Sequence, residues 1–150
     1  MNAYAELKER QQQEFNALPL GFAFNDKQFT EMMTKWSLDP DKDTDKIFSI
    51  GFGGFVQKKD AAKLHEVIER HDLEMSNAIA CDKTGEGFVA DMFYEELCNH
   101  EYSYTGEFDE TLDALGFTAR QVVDTPNLKR GLEKAVNRLR GKADDENESI

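Results

Sequence analysis

The chain predicts a mainly α fold (α+β), with about six helices packed around one short β-hairpin near residues 46–57. Three observations carry that prediction. Apolar residues recur at helical spacing over most of the 150 residues. Capping residues and breakers divide those stretches into short segments. A single stretch, IFSIGFGGFVQ, places β-branched and aromatic residues on either side of clustered glycines, as a hairpin does.

The elements follow in order. Tyr4, Leu7, Gln11, Phe15 and Leu18 form a helical stripe over residues 3–16, with Gln11 its weak position. Leu18-Pro-Leu-Gly21 ends that helix. Asn25 then caps a second one, with Gln28 in the capping-box position and Phe29, Met32, Met33 and Trp36 on one face. A turn-rich loop, Asp39 to Asp45, leads into the hairpin. Asp60 is expected to cap a long helix over 61–80, with a stripe of Leu64, Val67/Ile68, His71, Met75 and Ala78/Ile79. A helix over 88–99 presents Val89, Met92, Phe93 and Leu97. Asp109 is expected to cap a short helix stopping at Gly116, and Thr118 with Gln121 forms a capping box for the next. Thr125-Pro126 opens a last helix running to about Arg140. An isolated hairpin is marginal in water, so the predicted one must pack on helices.

With 39% hydrophobic residues, eleven of them Phe, the chain supports one globular domain over 1–142, followed by an acidic disordered tail over 143–150. No apolar run approaches the roughly 20 residues of a membrane span. The N-terminus has neither a basic region nor an apolar core of the signal-peptide kind, so no membrane partner is expected. Cys81 and Cys98 are too few for a disulfide framework and are expected as small buried thiols in a reducing, cytoplasmic compartment.

The net charge is −12 and unevenly spread. Residues 126–150 sum to +1, whereas no Lys or Arg occurs between Lys83 and Arg120, an interval holding nine acids. That field repels phosphates, so direct nucleic-acid binding is not expected. It suits a basic surface on another protein. The expected interaction face comprises Glu95, Glu96, Glu101, Tyr102, Tyr104, Glu107, Asp109 and Glu110, with Tyr94 and Phe108 as further aromatics. The basic last helix after short helices raises a helix-turn-helix reading, but its cations also serve to complement the helix dipole or the protein's own acids.

The stretch DKTGEGFVADMF imitates a calcium loop through its first eight positions: Asp82 at position 1, Thr84 at 3, Glu86 at 5 and Gly87 at 6. Position 12 is Phe93, which offers no oxygen where the bidentate carboxylate belongs. A turn between packed helices is therefore expected, with calcium at Asp82, Thr84 and Glu86 the alternative. Asp39, Asp41, Asp43 and Asp45 repeat the carboxylate spacing without the glycine or the terminal Glu, and read as a solvated turn. HEVIERH departs from the HExxH zinc spacing. However, His65 with Glu69, and Glu96 with His100, are i, i+4 pairs that would make a zinc site if two antiparallel helices brought them together. His71 falls on the apolar stripe and is expected to be hydrogen-bonded in the core. The clustered glycines lack the Lys-Ser/Thr of a phosphate loop, and no nucleophile–base motif occurs, so no cofactor and no catalytic residue are expected.

The segments LPLGFAFNDKQFTEMM, DKIFSIGFGGFVQKKDA, DKTGEGFVADMFYEELCNHEYSYTG, and TLDALGF with LKRGLEKA resemble a family of small, acidic, uncharacterised proteins encoded by bacteriophages and conjugative elements of gut Firmicutes. The resemblance spans Tyr4 to about Arg140. It implies a bacterial cytoplasm and a mobile element, and carries over no functional residues. The resulting functional expectation is a non-enzymatic acidic protein-binding module, in its extreme form an anti-defence inhibitor that mimics nucleic acid. A metal-binding protein is the alternative.

Overall fold

The computed structural model describes residues 2–100 and 108–148. Among them are seven α-helices and a three-stranded antiparallel sheet, in agreement with the mainly α (α+β) expectation. In chain order these are α1 (Ala3–Asn16), β1 (Leu20–Phe22), α2 (Asp26–Lys35), β2 (Ile47–Gly51), β3 (Gly54–Gln57), α3 (Ala61–Cys81), α4 (Phe88–Asn99), α5 (Asp109–Leu115), α6 (Ala119–Asp124) and α7 (Pro126–Glu148). No helix among the described residues is long and apolar enough to cross a membrane. The chain divides into two compact units, residues 11–73 and residues 1–10 with 74–150.

The unit of residues 11–73 holds the sheet, in the order β1-β3-β2. The expected hairpin is β2–β3. The strand not expected from the sequence is β1, which overlaps the helix breaker Leu18–Gly21 and pairs Leu20 with Val56 and Phe22 with Gly54. It gives the hairpin the third strand that isolated hairpins lack. Residues opposite one another share a face. Val56 and Leu20 pack with Leu18, Leu64 and Val67, while Phe55 and Ile47 pack on the other side with Phe29, Met32 and Met33 of α2 and with Trp36, its C-cap. The rings of Phe29 and Phe55 meet edge-on at 5.5 Å. Asn25 caps α2 as expected, accepting from the Gln28 amide at 2.8 Å; Gln28 reaches back one residue further than the box requires, to the Phe24 amide at 2.8 Å. Gln11, the weak point of the α1 stripe, is buried and donates to the His71 carbonyl at 3.2 Å, and the His71 ring meets Glu14 at 3.1 Å.

The other unit centres on α4, whose Val89, Met92, Phe93 and Leu97 are all fully buried. It packs most extensively on α7 through Leu128, Ala135, Val136 and Leu139, and Leu112 and Val122 close the same core. Punctuation is largely as read. The Thr118–Gln121 capping box is complete, and Gly116 ends α5 in the left-handed region at φ 78°. Asp109 is the first residue of α5 rather than its cap, since Phe108 precedes it without a capping bond. The last helix runs on past Arg140 to Glu148, because Gly141 is a lone helix-weakening residue and Lys142–Glu148 contains no proline.

Both cysteines are exposed, correcting the expectation of buried thiols. Cys98 lies one residue past buried Leu97, about 100° around α4 from the core stripe, and Cys81 is the last residue of α3.

Phe93 has no exposed surface, so Phe93→Ala leaves a cavity and should cost about 3–5 kcal/mol. Urea unfolding should show that loss as a lower midpoint with an unchanged slope.

Candidate functional site

The calcium-like loop is closed by the protein's own amides. The Asp82 carboxylate accepts from the amides of Gly85 at 3.2 Å, Gly87 at 3.0 Å and Val89 at 2.9 Å. Its two oxygens thus satisfy orphan donors around the start of α4, the work of a capping carboxylate. Asn127 donates to the carbonyls of Ile79 and Asp82, both at 3.1 Å, tying the end of α3 to the start of α7. Gly85 is required here: its φ is +81°, and a Cβ would lie 1.9 Å from the Asn127 carbonyl oxygen. Glu86 turns away to form a salt bridge with Arg130 at 2.7 Å, while its carbonyl accepts from Lys134 at 3.0 Å. Asp82, Thr84 and Glu86 therefore form a turn between helices.

The other proposed ligands also find local partners. His65 pairs with Glu69 at 2.8 Å and His100 with Glu96 at 3.4 Å, one pair in each unit. Among the described residues no group of three or more His, Cys, Asp or Glu is placed to hold a metal ion. In the Asp39–Asp45 loop two carboxylates bond the loop's own backbone. Asp39 accepts from Asp41 and Lys42, and Asp43 accepts from the Asp39 amide at 2.7 Å and pairs with Lys46 at 3.1 Å. The Asp39 amide, and then Lys46, hold the Asp43 carboxyl below the usual aspartate range.

Of the expected interaction face, Glu101, Tyr102, Tyr104 and Glu107 lie outside the described residues. Glu96 faces inward, where its carboxylate accepts from the Tyr4 hydroxyl at 2.7 Å. Burial first, and then Glu96, raise the Tyr4 pKa well above the ordinary phenol value. Glu95 is half-buried, and Asp109 and Glu110 are exposed. Phe108 packs on the core, and Tyr94 lies under the Arg138 guanidinium at 4.1 Å. Two basic residues of α7 pair with the protein's own acids, Arg130 with Glu86 at 2.7 Å and Arg138 with Asp91 at 3.5 Å.

The most conspicuous surface is one that sequence reading missed. At the hairpin end of the sheet, Phe22, Phe24, Ile50 and Phe52 are all exposed, Phe24 by 73% and Phe52 by 98%, and Phe48 is exposed further along β2, opposite Val56. The cause is local. Phe22 faces Gly54, Ile50 packs over Gly54, and the Phe24 ring lies on Gly53, so the opposing strand supplies no side chain to cover them. The turn residues Phe52 and Gly53 have φ of 52° and 75°. Two positive φ values define a type I′ turn, where Asn-Gly is the usual choice and a phenylalanine is strained by roughly 1–2 kcal/mol. Lys58 stands 5.1 Å from the Phe48 ring centre. The cue in the sequence was Gly51-Phe-Gly-Gly54, which sets a phenylalanine in a glycine-rich turn and leaves the facing strand short of side chains.

Fold and surface together define a mainly helical protein with a small sheet that carries an uncovered aromatic end. Residues 3–138 match the profile of DUF7659, a family of unknown function, and the chain belongs to that family. Comparison with curated proteins and with solved structures returns no match.

Two outcomes are expected. Asp82→Ala should lower stability by about 2 kcal/mol, as the loss of a cap does, and millimolar calcium should leave the melting temperature of the wild type unchanged in a scan that reads both. The raised Tyr4 pKa contributes stability that is complete below the phenol's ordinary value near 10 and is lost as pH rises through the folded value. Thermal scans from pH 8 upward should therefore fall steeply above about pH 10 for the wild type and less steeply for Tyr4→Phe.

Proposed function

We propose that the chain is a non-enzymatic protein-binding module whose docking surface is the aromatic end of the sheet. The observation that carries this reading is Phe52, held 98% exposed at a turn where its backbone is strained. A residue that costs stability in the folded chain and contributes no packing is retained for something outside it. Four exposed neighbours, Phe22, Phe24, Phe48 and Ile50, extend the surface into an apolar patch of the kind that marks an interaction site. Aromatic side chains at the centre of such patches supply most of the binding energy.

The acidic surface has a smaller place in this reading. Glu86 and Asp91 are engaged by Arg130 and Arg138, and Glu96 by Tyr4; Glu95, Asp109 and the largely exposed Glu110, which stands 3.8 Å from His100, are the described acids that face a basic partner. The partner would be a protein of the bacterial host or of the mobile element, the context that the resemblance in the sequence implies.

The test uses Phe52→Asn, which places the preferred Asn-Gly pair in the turn and should raise stability by about 1 kcal/mol. Tagged wild type and Phe52→Asn are used for capture from a Firmicute lysate with and without EDTA. The reading expects one partner bound by the wild type in both conditions, resistant to salt, and lost from the better-folded variant. Equal capture by Phe52→Asn, with loss in a Glu95→Gln/Asp109→Asn/Glu110→Gln variant, would move the interface to the acidic surface. Loss with EDTA would transfer the function to metal binding.

A further inference from the structure

We propose that an extended peptide segment of the partner adds to the sheet as a fourth strand along β1, with one apolar side chain seated between β1 and α2. This rests on the protein-binding reading and names what is bound. The strand order leaves β1 and β2 as edges. The β2 edge is blunted by a register shift between Ser49 and Gly51, a device that discourages pairing. β1 is short but pairs in continuous register, so its outward edge is regular.

Its hydrogen-bonding pattern follows from one bond. Ala23 donates to the Gly53 carbonyl at 2.8 Å, continuing the register that pairs Phe22 with Gly54 and Gly21 with Phe55. In an antiparallel ladder bonded and non-bonded pairs alternate, so Gly21 exchanges bonds with Phe55 while the N–H and C=O of Phe22 point away from the sheet. Among the described residues neither group has a partner within the chain. The Leu20 amide turns back to the Leu18 carbonyl at 2.8 Å, leaving the Leu20 carbonyl as the third outward group. An acceptor, a donor and a second acceptor two residues apart are what a peptide backbone complements.

Beside this edge lies a cleft of about 430 Å³. Leu20, Gly21, Met32 and Trp36 form its apolar floor, and Glu31 and Lys35 of α2 its rim. Gly21 has no room for a side chain, since a Cβ would lie 2.5 Å from the Met32 sulfur and 2.8 Å from Trp36. The cleft is thus a gap beside the strand rather than one left by a missing side chain. Among the described residues neither Glu31 nor Lys35 is in an ion pair, so the rim carries one charge of each sign. That balance suits a neutral backbone with an apolar side chain and does not favour a polyanion. Strand addition beside a helix takes affinity from main-chain bonds and selectivity from alternate side chains. Here one set would enter the cleft and the other would meet Phe22.

The probe is a phage-displayed library of random dodecapeptides panned on the full chain, with the best sequence synthesised and titrated into 15N-labelled protein. The expected result is a slowed, shifted Phe22 amide with further shifts across residues 28–36. Phe22→Ala and Phe22→Pro both remove the ring, but only proline removes the outward N–H, at an edge position that tolerates it. Phe22→Pro should bind at least about tenfold more weakly than Phe22→Ala, a difference of 1.4 kcal/mol. Equal affinity of the two variants, shifts confined to residues 48–52, or a library that yields no binder would each overturn strand addition. The lysate capture decides the protein-binding reading separately, because Phe52 lies outside the β1 edge.

Discussion

The turn at Gly51–Gly54 constrains one whole end of the sheet. β2 closes onto β3 through two residues that both take positive φ, Phe52 and Gly53. Glycines at 53 and 54 let the Phe24 ring and the Ile50 side chain lie directly on backbone. The same absence of side chains leaves Phe22, Phe24 and Ile50 facing outward with nothing to cover them. Fully burying a phenylalanine is worth roughly 1.5–3 kcal/mol, so the chain forgoes a sizeable part of its available hydrophobic stabilisation at this one end. A turn optimised for folding alone would have placed Asn where Phe52 stands.

In the other unit the comparable constraint is a single carboxylate. Asp82 gathers three amides in the five-residue interval before α4 settles into its helix, and Asn127 and Arg130 fix that loop to α7. Calcium loops use an aspartate at their first position to bind the ion. Here the donors are backbone N–H groups, with the helix N-terminus supplying the partial positive charge. The missing acid at residue 93 is a phenylalanine because that side chain belongs to the core, where it is fully buried.

Helix positions were legible because they rest on local signals: periodicity for α3 and α4, caps at Asn25 and Thr118, proline at the start of α7. The calcium-like spacing of Asp82, Thr84 and Glu86 was legible for the same reason, since ligand spacing can be checked residue by residue. What escaped was non-local. β1 is three residues long, too short to show a period, and exists through its pairing with β3. The inward turn of Glu96 depends on Tyr4, 92 positions away in sequence. The exposure of Phe22, Phe24 and Phe52 was not legible because spacing alone does not say what lies opposite a side chain. The pairing of Phe22 with Gly54 supplies that answer.

Hydrogen–deuterium exchange on the full chain, alone and saturated with its captured partner, tests the central claim most directly. Protection gained over residues 20–24 and 47–57, with α4 and α5 unchanged, is the result this account predicts. Protection gained instead over residues 88–115, with the hairpin exchanging as in the free chain, would contradict it.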